Sequence, residues 1–216
     1  MAHVSAFSVF IPIAVGLYNR GMLEHGLKNF LLLLNINLVA TVGQLILNLN
    51  RVNNLWLSHV FVLVEFTFVV WIFSMWVEAL KVRKLLRGFI VSFWLLWIIS
   101  RFTFEPITVP PAYVTPVAKA ILIVISLYMI FRIAQTSEEL FKEPRHWIVS
   151  GIVISSAASL LFYAFRGIID KFGHDELFIA YSIHWSIQIV ANIIYSIGFL
   201  CKQPTHSSGG PLASAR

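Results

Sequence analysis

Two rows of polar residues lie in the most apolar parts of this chain. Tyr181, His184, Gln188, Asn192 and Tyr195 are spaced three or four residues apart, which puts all five on one helical face. Asn37, Thr41, Gln44 and Asn48 repeat the pattern earlier. Between the two rows, Glu65 interrupts Asn54–Phe73 (NLWLSHVFVLVEFTFVVWIF), a nearly unbroken apolar run. Lipid offers a carboxylate, amide or imidazole no partner. Such groups must bond to protein, change protonation state or line a wet cavity. The chemistry they can support is binding: hydrogen bonds from the amides, ring nitrogens and hydroxyls, and charge pairing or proton exchange at Glu65.

Helical rise sets the depths. Glu65 falls about 15 Å below the outer end of its helix and His184 about 10 Å below the end of its own. Gln44 is at similar depth, and Lys119 lies a turn or two inside its span. Glu65, Gln44, His184, Gln188 and Lys119 are therefore expected to converge in the outer half of the membrane. Asn192 and Tyr181, on the same stripe as His184, complete the candidate ligand-binding set. Each also has a plain structural reading. Glu65 can be an ion pair or a protonated carboxyl bonded to an amide, with His184, Gln188 or Lys119 as its expected partner. For Lys119 the favoured reading is snorkelling to the outer interface. His184 can bond one helix to another. His59 is about 120° round the helix from Glu65 and is expected to be interfacial. Arg101 with Glu105 and Arg166 with Asp170 are spaced i,i+4 at outer helix ends and are expected to be solvated pairs.

The elements that must position these residues are membrane spans. Of 216 residues, 58% are hydrophobic and 12% charged, with mean hydropathy +0.81, about half the charge of a soluble domain. The apolar blocks approach or exceed the ~20 residues that cross a bilayer. Seven spans are expected: Val4–Tyr18, Leu27–Asn48, Leu55–Ala79, Leu85–Phe104, Ala112–Ala134, Trp147–Ile169 and Leu177–Cys201. The expected fold is all-α, a seven-transmembrane-helix bundle over residues 1–201 with a disordered polar tail at 202–216. With the N-terminus outside and the C-terminus cytoplasmic, eleven basic residues lie inside and five outside, as the positive-inside rule requires. The run Lys81–Arg87 between the third and fourth spans is the strongest anchor. As a cytoplasmic loop it would meet anionic lipid or a partner protein. No basic n-region precedes the first apolar run, which reads as a retained helix. Gly151, Ser155 and Ser159 form a small-residue seam in the sixth span and are expected to serve helix packing.

Several function classes lack their residues. The net charge of +6 is not gathered into a basic, aromatic-interleaved patch, so nucleic acid is not an expected partner. Cys201 is the only cysteine, which excludes an intramolecular disulfide and a thiolate cluster. The last span has no lysine for an opsin Schiff base. No Walker loop, HExxH or nucleophile elbow occurs. A zinc-dependent intramembrane hydrolase would want three histidines and an aspartate, where this chain has only His59 and His184 within spans and no internal Asp. No metal, cofactor or catalytic residue is assigned. Spans one to three and five to seven admit a parallel-repeat reading around span four, although the Pro-Gln signature of small sugar transporters is missing.

Ile11-Pro-Ile-Ala-Val-Gly16, Asn54…His59…Glu65-Phe66 and Asn192-Ile-Ile-Tyr-Ser-Ile-Gly-Phe199 carry a resemblance. Over most of Ile11–Leu200 the chain resembles a set of small seven-helix bacterial membrane proteins of uncharacterised activity. The resemblance implies a seven-helix bundle, directs interest to Glu65 and brings no activity with it. The leading expectation is a receptor-like sensor or ligand-binding module of a bacterial inner membrane, with a polar cavity open to the outer face. A small-solute or proton-coupled transporter is the alternative, and an intramembrane hydrolase stands third.

Overall fold

The computed structural model describes residues 2–169 and 174–201. The tail at 202–216, Lys171 and the side-chain pairing of Arg166 with Asp170 lie outside the described residues. Among the described residues eight α-helices follow one another: α1 (Ala2–Ser8), α2 (Phe10–Tyr18), α3 (His25–Leu49), α4 (Leu55–Trp76), α5 (Leu80–Thr103), α6 (Val114–Thr136), α7 (Pro144–Ile169) and α8 (His174–Leu200). One 3₁₀ turn, Leu140–Lys142, joins α6 to α7. The last six helices are each long and apolar enough to cross a membrane. The chain is a multi-pass membrane protein, all-helical over its described residues.

The first expected span is shorter and is interrupted. Pro12 has no N–H to give the Ser8 carbonyl, and its ring crowds that turn. The helix breaks at Val9 and resumes at once, with Ile13 N–H bonding the Val9 carbonyl at 3.3 Å. The α3 C-terminus closes differently. Val52 N–H reaches the Leu47 carbonyl (2.9 Å) and Arg51 N–H the Asn48 carbonyl (3.0 Å), the pairing that ends a helix through a left-handed residue. That residue is Arg51, at φ 56°.

At the other end of the bundle the expected loop is helical. Lys81–Arg87 is not a loop. Helix α4 stops at Trp76, the chain is extended at Val77 and Ala79, and α5 begins at Leu80. The basic residues therefore occupy the first two turns of a helix. Arg83 turns back to bond the Val77 carbonyl (2.9 and 3.2 Å), and the Arg87 guanidinium lies 5.0 Å over the Trp71 ring. The apolar block starts only at Leu85, after the charges, but the helix that carries it begins at Leu80 and takes those charges in.

Helices α2, α3, α4, α6, α7 and α8 close a ring, each packed on its neighbours, with α1 against α8 and α5 outside against α4 and α6. Helix α5 buries only Leu86, Phe93 and Ser100, one residue every two turns, a narrow seam that suits a peripheral helix. The interior of the ring is uneven along its axis. Towards the end bearing the α2–α3 and α4–α5 turns it is solid, filled by Leu27, Ile72, Phe73, Ile148 and Phe199. On α3 every buried residue lies between Gly26 and Leu34. Beyond that, serines, threonines and amides join the lining, and the interior becomes hollow.

Candidate functional site

The hollow half encloses a cavity of about 350 Å³ lined from α1, α3, α4, α6, α7 and α8. Its floor is the apolar plug: Phe30, Val69, Ile152 and Tyr195. Tyr195 meets Phe30 edge-on at 4.9 Å and crosses α7 where Gly151 leaves room, since a Cβ there would fall 2.4 Å from the ring.

Glu65 and Lys119 meet on the cavity wall. The Lys119 ammonium donates to both Glu65 oxygens at 2.6 Å. Lys119 is nearly enclosed, whereas the Glu65 side chain keeps 21% exposure beside the cavity that it lines. The expectation of a snorkelling Lys119 is thus overturned. Lys119 is five residues into α6, about 8 Å from its start, and a carboxylate inside the bundle lies within reach of its stem. Glu65 itself is at the middle of α4, ten residues after Leu55.

The two polar stripes converge on the same space. Asn37, Thr41 and Gln44 line it from α3, and Gln44 donates to Ser58 Oγ at 3.0 Å. Asn48, the fourth member of that stripe, lies beyond the cavity and is exposed. From α8 come His184, Gln188 and Asn192. Gln188 accepts from Ser155 Oγ (2.8 Å) and donates to Ser159 Oγ (3.3 Å). Asn192 donates to Ser8 Oγ (2.7 Å), tying α8 to the end of α1. The ring of His184 stacks on Phe162 at 4.8 Å.

Tyr181 does not join them. It packs on Phe162 (4.7 Å) and Trp185 (5.4 Å), outside the cavity lining. The seam of Gly151, Ser155 and Ser159 does more than pack: both serines, with Ser156, form the α7 wall. Small residues signal close approach in a sequence, and the same residues leave space when the neighbouring helix stands back. Sequence reasoning also missed Thr115, one turn before Lys119 on α6. It is 1% exposed and lines the cavity, and its hydroxyl has no hydrogen-bond partner among the described residues.

A second set of charges lies near the ends of α4 and α5 and corrects two expectations. His59 is not interfacial and Arg101 with Glu105 is not solvated: His59 and Glu105 are each 1% exposed. His59 Nε2 donates to the Val109 carbonyl at 2.8 Å, which leaves Nδ1 to accept from Arg101. Arg101 also binds Glu105 and Ser100. Glu105 accepts the N–H groups of Tyr113 (2.7 Å) and Val114 (3.3 Å) at the start of α6, where a carboxylate offsets the helix dipole. The cluster pins the connection at 104–113 onto α4 and α6. None of its three charged or ring groups lines the cavity.

Among the described residues no group of three or more histidines, cysteines or carboxylates is placed to hold a metal ion. No protein-family model matches the chain, and neither a characterised protein nor a solved structure is detectably similar to it.

Proposed function

We propose that this protein is a receptor-like, ligand-binding membrane module that admits a small polar molecule into the cavity beside Glu65 and Lys119. The observation that carries the reading is a polar cavity inside a membrane bundle, with an ion pair on its wall and the Thr115 hydroxyl without a partner among the described residues. Its volume is at the lower end of the roughly 300–1,000 Å³ typical of small-molecule sites. An orphaned polar atom in an apolar medium costs free energy, which a polar occupant would recover.

The same proposal sets the N-terminus outside and the C-terminus in the cytoplasm of a bacterial inner membrane, and keeps the resemblance to small seven-helix bacterial proteins. Burial of Arg101 and Lys119 in pairs supports this orientation, because it leaves the N-terminal end poorer still in free cations. The basic first turns of α5 then face anionic lipid or a cytoplasmic partner.

A carrier is the second reading. Two features favour it: the first three and last three spans make the ring with α5 outside, and the broken helix at Val9 borders the cavity. The test is purified protein in nanodiscs and in proteoliposomes, offered amino acids, sugars and polyols. Saturable thermal stabilisation by one class, lost in Glu65→Gln and without flux, is the expected result. Flux of the stabilising solute that Glu65→Gln abolishes establishes the carrier instead. Failure of every class, and of phosphatidylethanolamine in the nanodisc, to stabilise the protein refutes the binding module.

A further inference from the structure

We infer that the cavity takes a small zwitterion, its cationic nitrogen against Glu65 and its anionic group against Lys119 and the Thr115 hydroxyl. The inference rests on the cavity being a binding site and adds the class of molecule that it selects.

Charge sets the first condition. Among the described residues on the cavity wall, Glu65 and Lys119 are the one carboxylate and the one ammonium, so the wall carries no net charge from them and the two satisfy each other. Opening such a pair in a low-dielectric interior is costly unless both partners are compensated together. A simple cation on Glu65 would strand the Lys119 ammonium, and a simple anion on Lys119 would strand the Glu65 carboxylate. A molecule bearing both charges compensates both and leaves the site neutral.

Hydrogen bonding sets the second condition. Lys119 spends two N–H contacts on Glu65, and an ammonium has three donors. One turn away on the same face, the buried Thr115 hydroxyl is unpartnered. Together they present a charged and a neutral donor to one anionic group. The Glu65 carboxylate, the more exposed member of the pair, has acceptor capacity left for an ammonium. A neutral polyol could use the hydroxyl but has no charge to set against the exposed carboxylate. The amides of Asn37, Gln44 and Gln188 would contact the body of the molecule, which at about 350 Å³ can be larger than the charged groups alone.

A free amino acid and a zwitterionic lipid headgroup share this chemistry, and the experiment separates them. The protein is placed in phosphatidylglycerol nanodiscs and its unfolding midpoint followed against the common L-amino acids. For each, the N-acetyl derivative (anion only), the amide (cation only) and the doubly blocked form (neutral) serve as controls, with sorbitol and maltose as polyols. A parallel set of nanodiscs contains phosphatidylethanolamine. The expected result is saturable stabilisation by one or more amino acids and at least ~30-fold weaker apparent affinity for each blocked form, the usual loss when a buried charge goes unpaired. Stabilisation by phosphatidylethanolamine that amino acids no longer add to also supports a zwitterion site, and assigns it to the headgroup.

Lys119→Gln and Glu65→Gln should each abolish the preference for the doubly charged form. The exchanged variant Glu65→Lys with Lys119→Glu, which keeps a neutral pair, should retain it. Equal binding of a zwitterion and its singly charged derivatives overturns the inference. So does saturable stabilisation by sorbitol or maltose alone, an outcome that leaves the binding module standing. The wild-type panel decides the matter even where a variant fails to fold.

Discussion

Two sets of buried charges occupy the same half of this bundle, and they are built on opposite plans. His59, Arg101 and Glu105 form a closed set. The imidazole, the guanidinium and both carboxylate oxygens have partners, several of them backbone groups of the connection at 104–113. Glu65 and Lys119 form an open set: they are paired, but on the wall of a cavity where the neighbouring Thr115 hydroxyl has no partner among the described residues. A closed set fixes chain geometry and has nothing left to offer a solute. An open set retains capacity. Burial and charge alone do not distinguish the two; the partners do.

The comparison breaks most visibly under loss of one partner. Glu105→Ala should cost about 3–5 kcal/mol of stability, because it strands Arg101 in the interior and uncaps α6. Glu65→Gln should cost only about 1–3 kcal/mol, since the amide oxygen can still accept from Lys119 beside the cavity. Thermal or denaturant unfolding in nanodiscs measures both. Equal losses would erase the difference between the sets.

A smaller effect sharpens the open side. Gly151→Ala would put a methyl where the Tyr195 ring lies and push that ring from the cavity floor, costing about 1–3 kcal/mol as overpacking does. It should also weaken solute-induced stabilisation, whereas Gly88→Ala, at a glycine with open space around it, should leave it unchanged. Solute titrations of the two variants check this.

Arg51→Gly touches neither set. It relieves the left-handed backbone at the α3 terminus and should raise stability by up to about 1 kcal/mol, read as a higher unfolding midpoint with solute response intact. The slightest effect concerns Cys201, just past α8. Burial, with Glu143 adding to it, raises its thiol pKa. A raised pKa means less thiolate at a given pH, so alkylation in the folded protein should be slower than in the unfolded chain. The gap should close as pH climbs past the folded value. A maleimide time course across pH reads this, and on sealed inverted vesicles the same thiol reports which side the C-terminus occupies.

Much of this was legible in the residues. Six long spans follow from apolar blocks with few charges, and the convergence of Gln44, Glu65, His184 and Gln188 follows from helical spacing and depth. Lys119 was legible as a member of that group and as one candidate partner of Glu65 beside His184 and Gln188, but helical spacing did not choose among the three. A lysine near a span end has two outlets, and the sequence does not rank water against an unseen carboxylate on another helix. The cluster at His59 was hidden for a related reason. Its burial depends on Val109 and Tyr113 in a proline-rich connection folding back over the helix ends, a non-local event without periodicity. Ser155 and Ser159 carried the ambiguity of all small residues, which permit contact and also permit space. Thr115 left no signal, because one hydroxyl in an apolar helix most often bonds its own backbone.

The account stands on the contents of the cavity. The most direct measurement is a high-resolution map of the protein purified in native lipid, inspected around Glu65, Lys119 and Thr115. The account predicts an ion pair facing ordered non-protein density, water or a compact polar molecule, within hydrogen-bond distance of the Thr115 hydroxyl. A cavity collapsed onto side chains or filled by an acyl chain, with Glu65 turned towards lipid, would contradict it.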